Sequence, residues 1–140
     1  MVTLVKLIMG PKGTGKTKAL VELVKQATEK ENGSVVCIEK DKNLTFDVPY
    51  TARLIHASDY NFGSMEFFEG FISGLHAANY DITHVFIDNL LKMFDEAIDI
   101  KTLAKILDTL DAFGEKEGIS FTVTATGDPE TAGDDVKKYL

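Results

Sequence analysis

The sequence predicts an α/β fold: a five-stranded, mostly parallel sheet with helices on both faces, organised as three layers. Three observations carry that prediction. Short apolar runs alternate along the chain with longer segments of helical periodicity. The runs are nearly continuous in apolar residues, as strands buried between two helix layers must be. The chain has 140 residues, 44% of them hydrophobic, which suits one sizeable core and leaves no room for a second. Residues 1–140 therefore read as a single domain.

The elements follow in order. "VTLVKLIM" (Val2 to Met9) gives a first strand over Thr3–Met9, with Thr3 and Lys6 as its polar interruptions. A helix over Lys16–Lys30 places Leu20, Leu23, Val24 and Ala27 on one face, with Lys18, Glu22, Lys25, Gln26 and Glu29 elsewhere. Asn32-Gly33 stops it. Further strands fall at Ser34–Glu39, Ala52–His56, His84–Asp88 and Ser120–Ala125. A second helix, Met65–Ala78, rests on Phe68, Phe71, Ile72 and Leu75, and a third, Ile100–Glu117, rests on Leu103, Ile106, Leu107, Leu110 and Phe113. The helical spacing of the aromatics in "MEFFEGF" favours core packing over a base-stacking platform. Asp134–Leu140 reads as a short closing helix or a mobile tail.

The stretch between the first strand and the first helix carries the chemistry. "GPKGTGKT" (Gly10 to Thr17) has the spacing G-x-x-x-x-G-K-T, the phosphate-binding loop pattern. Average residue usage produces that pattern by chance in roughly one chain of this length in a few hundred. Its place at a strand exit and a helix entry sharpens the reading. A turn that binds nothing has no use for Lys16-Thr17. Gly10, Gly13 and Gly15 allow backbone dihedrals and close approaches that a β-carbon would block. With Pro11, Lys12 and Thr14 they form a loop whose N–H groups, from Lys12 to Thr17, point inward around phosphates at the positive end of a helix dipole. Lys16 reaches the β- and γ-phosphates and the Thr17 hydroxyl binds Mg²⁺. Lys12 and Lys18 are solvated charges flanking the loop, available to phosphate as lesser contacts.

A second motif, "THVFIDNL" (Thr83 to Leu90), places Asp88 at the carboxyl end of a buried strand, where open α/β sheets form their ligand crevice. A carboxylate there holds Mg²⁺ beside Thr17, directly or through water. Asn89 follows, so the acidic pair of many ATPases is absent and a general base must come from elsewhere. Glu39, which ends the second strand, is the best candidate to orient an attacking water; the competing reading is a solvated charge beside Lys40 and Lys42.

Composition excludes other classes. Net charge is −7, which disfavours broad nucleic-acid binding. Cys37 is the only cysteine, so an internal disulfide and a zinc ribbon are excluded, and a reduced buried thiol in a cytoplasmic protein is expected. There is no basic leader and no apolar run long enough for a membrane. His56, His76 and His84 are widely spaced and have no metal-ligand pattern. Nucleophile elbows and Cys/His pairs are also missing. The acidic stretch "ATGDPETAGDD" lies near the expected crevice, within reach of a nucleotide or a partner.

The order of these features resembles the RecA-like (ASCE-type) core of P-loop NTPases: a phosphate-binding loop, a long helix, a strand ending in Glu, a further strand, a helix, then a strand ending in Asp. The resemblance spans Val2 to Thr126, and the loop is its specific part. It implies that Ser120–Ala125 lies between the first strand and the Asp88 strand, with Ser34–Glu39 on the far side of the latter. It also implies that Glu39 activates water, and that Thr124 or Thr126 senses the γ-phosphate. The whole chain is similar to small P-loop proteins of Gram-positive bacteria, some of them labelled as relatives of the twitching-motility ATPase; the acidic and histidine boxes of the motors have no counterpart here. Arg53 is the only arginine, so the arginine finger that ring ATPases share between neighbours has no obvious source. The function expected is Mg-ATP binding with slow or partner-regulated hydrolysis. The alternatives are a nucleoside or nucleotide kinase, since thymidine kinases begin similarly but carry a cysteine-rich zinc segment, and a module that holds nucleotide without turnover.

Overall fold

The computed structural model describes residues 4–60 and 62–140. Thr3, where the sequence begins the first strand, lies outside them. The elements are β1 (Val5–Gly10), α1 (Lys16–Lys30), β2 (Ser34–Glu39), β3 (Ala52–His56), α2 (Met65–Ala78), β4 (Ile82–Ile87), α3 (Ile100–Glu117), β5 (Ser120–Thr126) and α4 (Asp134–Lys137). The strands form one sheet in the order β1-β5-β4-β2-β3, and every pairing is parallel. β5 therefore separates β1 from β4, and β2 lies beyond β4, as the sequence led us to expect. Parallel neighbours need crossover connections: α1, α2 and α3 supply those that leave β1, β3 and β4, whereas β2 reaches β3 through the loop of residues 40–51 without a helix.

Side-chain alternation along each strand divides the interior in two. Val36, Ile38, Val85, Ile87, Phe121 and Val123 pack with α2 and α3 through Phe68, Ile72, Leu103, Ile106, Leu107 and Leu110. Val35, Cys37 and Phe86 face the other way, against Leu20, Val21, Val24 and Ala27 of α1. The "MEFFEGF" aromatics do pack as core. Phe68 is buried, and Phe67 and Phe71 close on Phe62 with ring centroids 5.1 and 4.8 Å apart. Phe62 sits in a loop with no periodicity, so nothing local marks it as a core residue.

Element boundaries shift where hydrogen bonding outlasts apolar composition. β1 ends at Gly10 and β5 at Thr126, one residue later than expected, because these two residues still pair. β4 starts at Ile82 and stops at Ile87, leaving Asp88 just beyond the strand. The Asp88 amide nevertheless donates to Ile38 O at 2.9 Å. Among the described residues, short 3₁₀ turns at Ala57–Asp59, Leu90–Met93 and Pro129–Thr131 add to the elements expected from the sequence. The C-terminal segment is a closing element. Tyr139 is buried and its carbonyl accepts from the Leu7 amide at 2.7 Å, covering the free edge of β1. Among the described residues, no helix is long and apolar enough to cross a membrane.

Candidate functional site

Four segments meet at the carboxyl end of the sheet: the Gly10–Thr17 loop, the end of β2, the turn after β4 and the end of β5. Alternation explains what they bring. Glu39 shares a face with Cys37, Asp88 with Phe86, and Thr124 with Thr122, and this is the face that α1 covers. Lys16 and Thr17 open that helix.

The loop owes its path to two glycines in the left-handed region, Gly13 (φ 84°) and Gly15 (φ 80°). Thr14 Oγ1 donates to Pro11 O at 2.7 Å, tightening the turn. Among the described residues, no side chain caps α1. Among the described residues, the N–H groups of Gly13, Thr14 and Gly15 meet no protein acceptor. A bend of free amides at a helix N-terminus is electropositive and suits an anion. Lys16 is 9% exposed, and its Nζ donates to Pro11 O at 2.8 Å. Lys12 and Lys18 are exposed, and among the described residues their ammonium groups have no hydrogen-bond or ion-pair partner.

Asp88 is 5% exposed. Its carboxylate accepts from Thr17 Oγ1 at 3.0 and 3.2 Å and from Thr124 Oγ1 at 2.6 Å, with a longer approach from Asn89 Nδ2 at 3.4 Å. All of these donors are neutral. Among the described residues neither Lys16 nor Asp88 belongs to an ion pair. Burying an ion without a counter-ion is costly, and such groups in proteins are normally paired or coordinate a metal. The expected meeting of Thr17 and Asp88 is thus present, and the pair is a set of hard oxygen donors.

Glu39 lies nearby and is 3% exposed. It is not a solvated charge. Its Oε1 accepts from the amides of Asn43 and Leu44 at 2.9 and 3.2 Å; Oε2 accepts from Leu44 at 3.1 Å and lies 3.3 Å from His56 Nδ1. The carboxylate therefore organises the 40–44 loop while lining a cavity of about 120 Å³ with Thr17, Asp88, Asn89 and Lys92. That volume equals roughly four waters of bulk liquid, the scale of a hydrated ion or a terminal phosphate. Cys37, one residue pair inward, has its thiol pushed up to about 12 by burial first and then by the negative charges of Asp88 and Glu39. It stays protonated and inert.

Of the two threonines of β5, Thr124 is fully buried against Asp88, whereas Thr126 is exposed at the strand end, paired with Gly10. Arg53 is exposed on the edge strand β3. The acidic stretch after β5 begins beside the loop, since the Gly127 amide donates to Gly10 O at 3.0 Å.

Three residues have roles that their sequence positions did not signal, two in this site and one away from it. Asn89 adopts φ 56° and ψ 56°, the only non-glycine residue with positive φ among those described. Asparagine tolerates that region, which was the available signal. His56 reaches Glu39 only because β3 lies beside β2 in register. The third lies at the opposite end of the same face, in a cavity of about 350 Å³. There His84 stacks on Phe86, contacts Glu31 through Nδ1 and Thr122 through Nε2, both at 2.8 Å. Burial lowers the His84 pKa, against the opposing pull of Glu31.

In comparisons with known proteins, no family model matches the chain and no curated protein shows significant similarity to it.

Proposed function

We propose that this chain is a P-loop NTPase domain with a RecA-like core that binds Mg-ATP at Gly10–Thr17 and hydrolyses it slowly or under a partner's control. One observation carries the reading: Lys16 and Asp88 are both buried and neither has a counter-ion among the described residues. Lys16 would find its missing counter-charge in a bound polyphosphate, and Asp88 in the accompanying divalent cation. The strand order, with β5 between β1 and β4, supports the RecA-like arrangement.

The donors fit Mg²⁺. Thr17 and Asp88 offer a neutral and an anionic oxygen, and the small cavity beside them leaves room for the waters that this ion retains. When bound, the ion would neutralise charge on the β- and γ-phosphates. The chain's own groups would do the rest. The free amides of Gly13 to Gly15 and the Lys16 ammonium bind and orient the phosphates, with Gly10, Pro11 and Thr14 shaping the loop. Glu39 and Asp41 are the carboxylates lining the cavity besides Asp88; Glu39, which ends β2, is the one that the RecA-like reading would have take a proton from water.

The same carboxylate favours a second reading, a module that holds nucleotide without turnover. Both Glu39 oxygens already accept hydrogen bonds from Asn43 and Leu44. Calorimetry of ATP binding with Mg²⁺, on wild type and Lys16→Ala, tests the site itself. Loss of one charge-assisted contact predicts weakening by about 2 kcal/mol, roughly thirtyfold in Kd. Equal affinity in Lys16→Ala would refute phosphate binding at this loop. Phosphate release by wild type then separates the ATPase from the holding module.

A further inference from the structure

Thr124 occupies an unusual place for a group that would sense a phosphate. It is fully buried in the middle layer, and its hydroxyl is already committed on both sides. The single hydrogen goes to Asp88 Oδ1 at 2.6 Å, and the oxygen accepts from the Asn89 amide at 2.8 Å. A hydroxyl has one proton to give, so donation to a phosphate would require breaking the shorter of these bonds.

We propose that Thr124 is a positioning residue that clamps the Asp88–Asn89 turn and aims the Asp88 carboxylate at the divalent cation. This rests on the Mg-ATP reading of the site. The clamp works at two points. Asn89 holds a left-handed conformation that costs a non-glycine residue energy, and its amide is tied down by Thr124. The carboxylate is held by two side chains from different elements, by Thr124 of β5 on Oδ1 and by Thr17 of α1 on both oxygens. Its rotation about the terminal torsion, broad in a free aspartate, is thereby restricted. A ligand oxygen held in place before the cation arrives binds it more tightly than one that must be ordered on binding. Thr126, the other threonine at the end of β5, is exposed and pairs with Gly10 at the start of the loop.

The test compares wild type, Thr124→Val and Thr124→Ser by calorimetry, with ATP in excess Mg²⁺ and with ATP in EDTA. Valine keeps the shape and removes the hydroxyl; serine keeps the hydroxyl. Thr124→Val is expected to lose about tenfold of the affinity gain that Mg²⁺ confers, with affinity in EDTA within twofold of wild type. Thr124→Ser should recover that gain. A purely structural role would weaken both conditions alike, and that result, or an unchanged Mg²⁺ gain in Thr124→Val, overturns the proposal. Wild-type amide exchange gives a reading without any variant: the Asn89 N–H should exchange slowly with and without Mg-ATP, and rapid exchange in either state overturns the clamp. If wild type shows no Mg²⁺ gain at all, the clamp falls together with the site reading. If Asp88→Asn abolishes the gain while Thr124→Val retains it, the site stands and the clamp alone is wrong.

Discussion

Replacing Asp88 by asparagine should make the nucleotide-free protein more stable while damaging the site. The residue is 5% exposed, and among the described residues every hydrogen bond its carboxylate accepts comes from a neutral group. Asparagine is nearly isosteric. Its oxygen can keep the 2.6 Å bond from Thr124, and its amide can donate to the Thr17 hydroxyl. Bonds to a charged acceptor contribute about 1 kcal/mol more than neutral ones. With Thr17 and Thr124 as the two close partners, the change forfeits about 2 kcal/mol. Removing a buried ion recovers a desolvation penalty of several kcal/mol. The balance favours the variant by roughly 1–2 kcal/mol, which for a domain of this size raises Tm by about 3–8 °C. Scanning calorimetry without nucleotide measures it. The same variant, titrated with ATP in Mg²⁺ and in EDTA, should lose at least about tenfold of its Mg²⁺ gain, or 1.4 kcal/mol. A variant less stable than wild type would show that Asp88 is a structural hydrogen-bond acceptor, and the argument from an uncompensated charge would fail.

Two further expectations concern Glu39 and His84. Glu39→Gln should bind ATP as wild type does and hydrolyse it about two to four orders of magnitude more slowly, since glutamine keeps acceptor contacts to the 40–44 loop but cannot take a proton; hydrolysis at the wild-type rate would make Glu39 a loop anchor only. Burial holds the folded-state pKa of His84 below its ordinary 6.5, so above that pH the group is neutral in both states and contributes no pH dependence. As pH falls below 6.5 the unfolded chain binds the proton first, and stability drops by at most about 1.4 kcal/mol per pH unit. Urea unfolding midpoints at about pH 7.5 and 5.5 should converge in His84→Gln relative to wild type; an equal acid loss in both proteins would contradict that sign.

The sequence by itself determined the element types, the two-sided burial and the loop. Each rests on information within a few residues: continuous apolar runs for the strands, a 3.6-residue apolar period for α1, α2 and α3, and glycines spaced around Lys16-Thr17. It also brought out Glu39 and Asp88, because both stand where an apolar run ends. What those carboxylates do was decided only in three dimensions. Sequence spacing cannot tell that Glu39 is bound by the amides of Asn43 and Leu44 and approached by His56, since that depends on how the 40–44 loop folds back and on the β2–β3 register. Nor can it tell Thr124 from Thr126. Both are threonines on one face of β5, and only the insertion of β5 between β1 and β4 buries the first against Asp88 and leaves the second exposed beside Gly10. The physical reason is common to these cases. Helix and strand propensities act over neighbours in the chain, whereas a buried polar group takes its role from whatever partner the fold brings within about 3 Å of it.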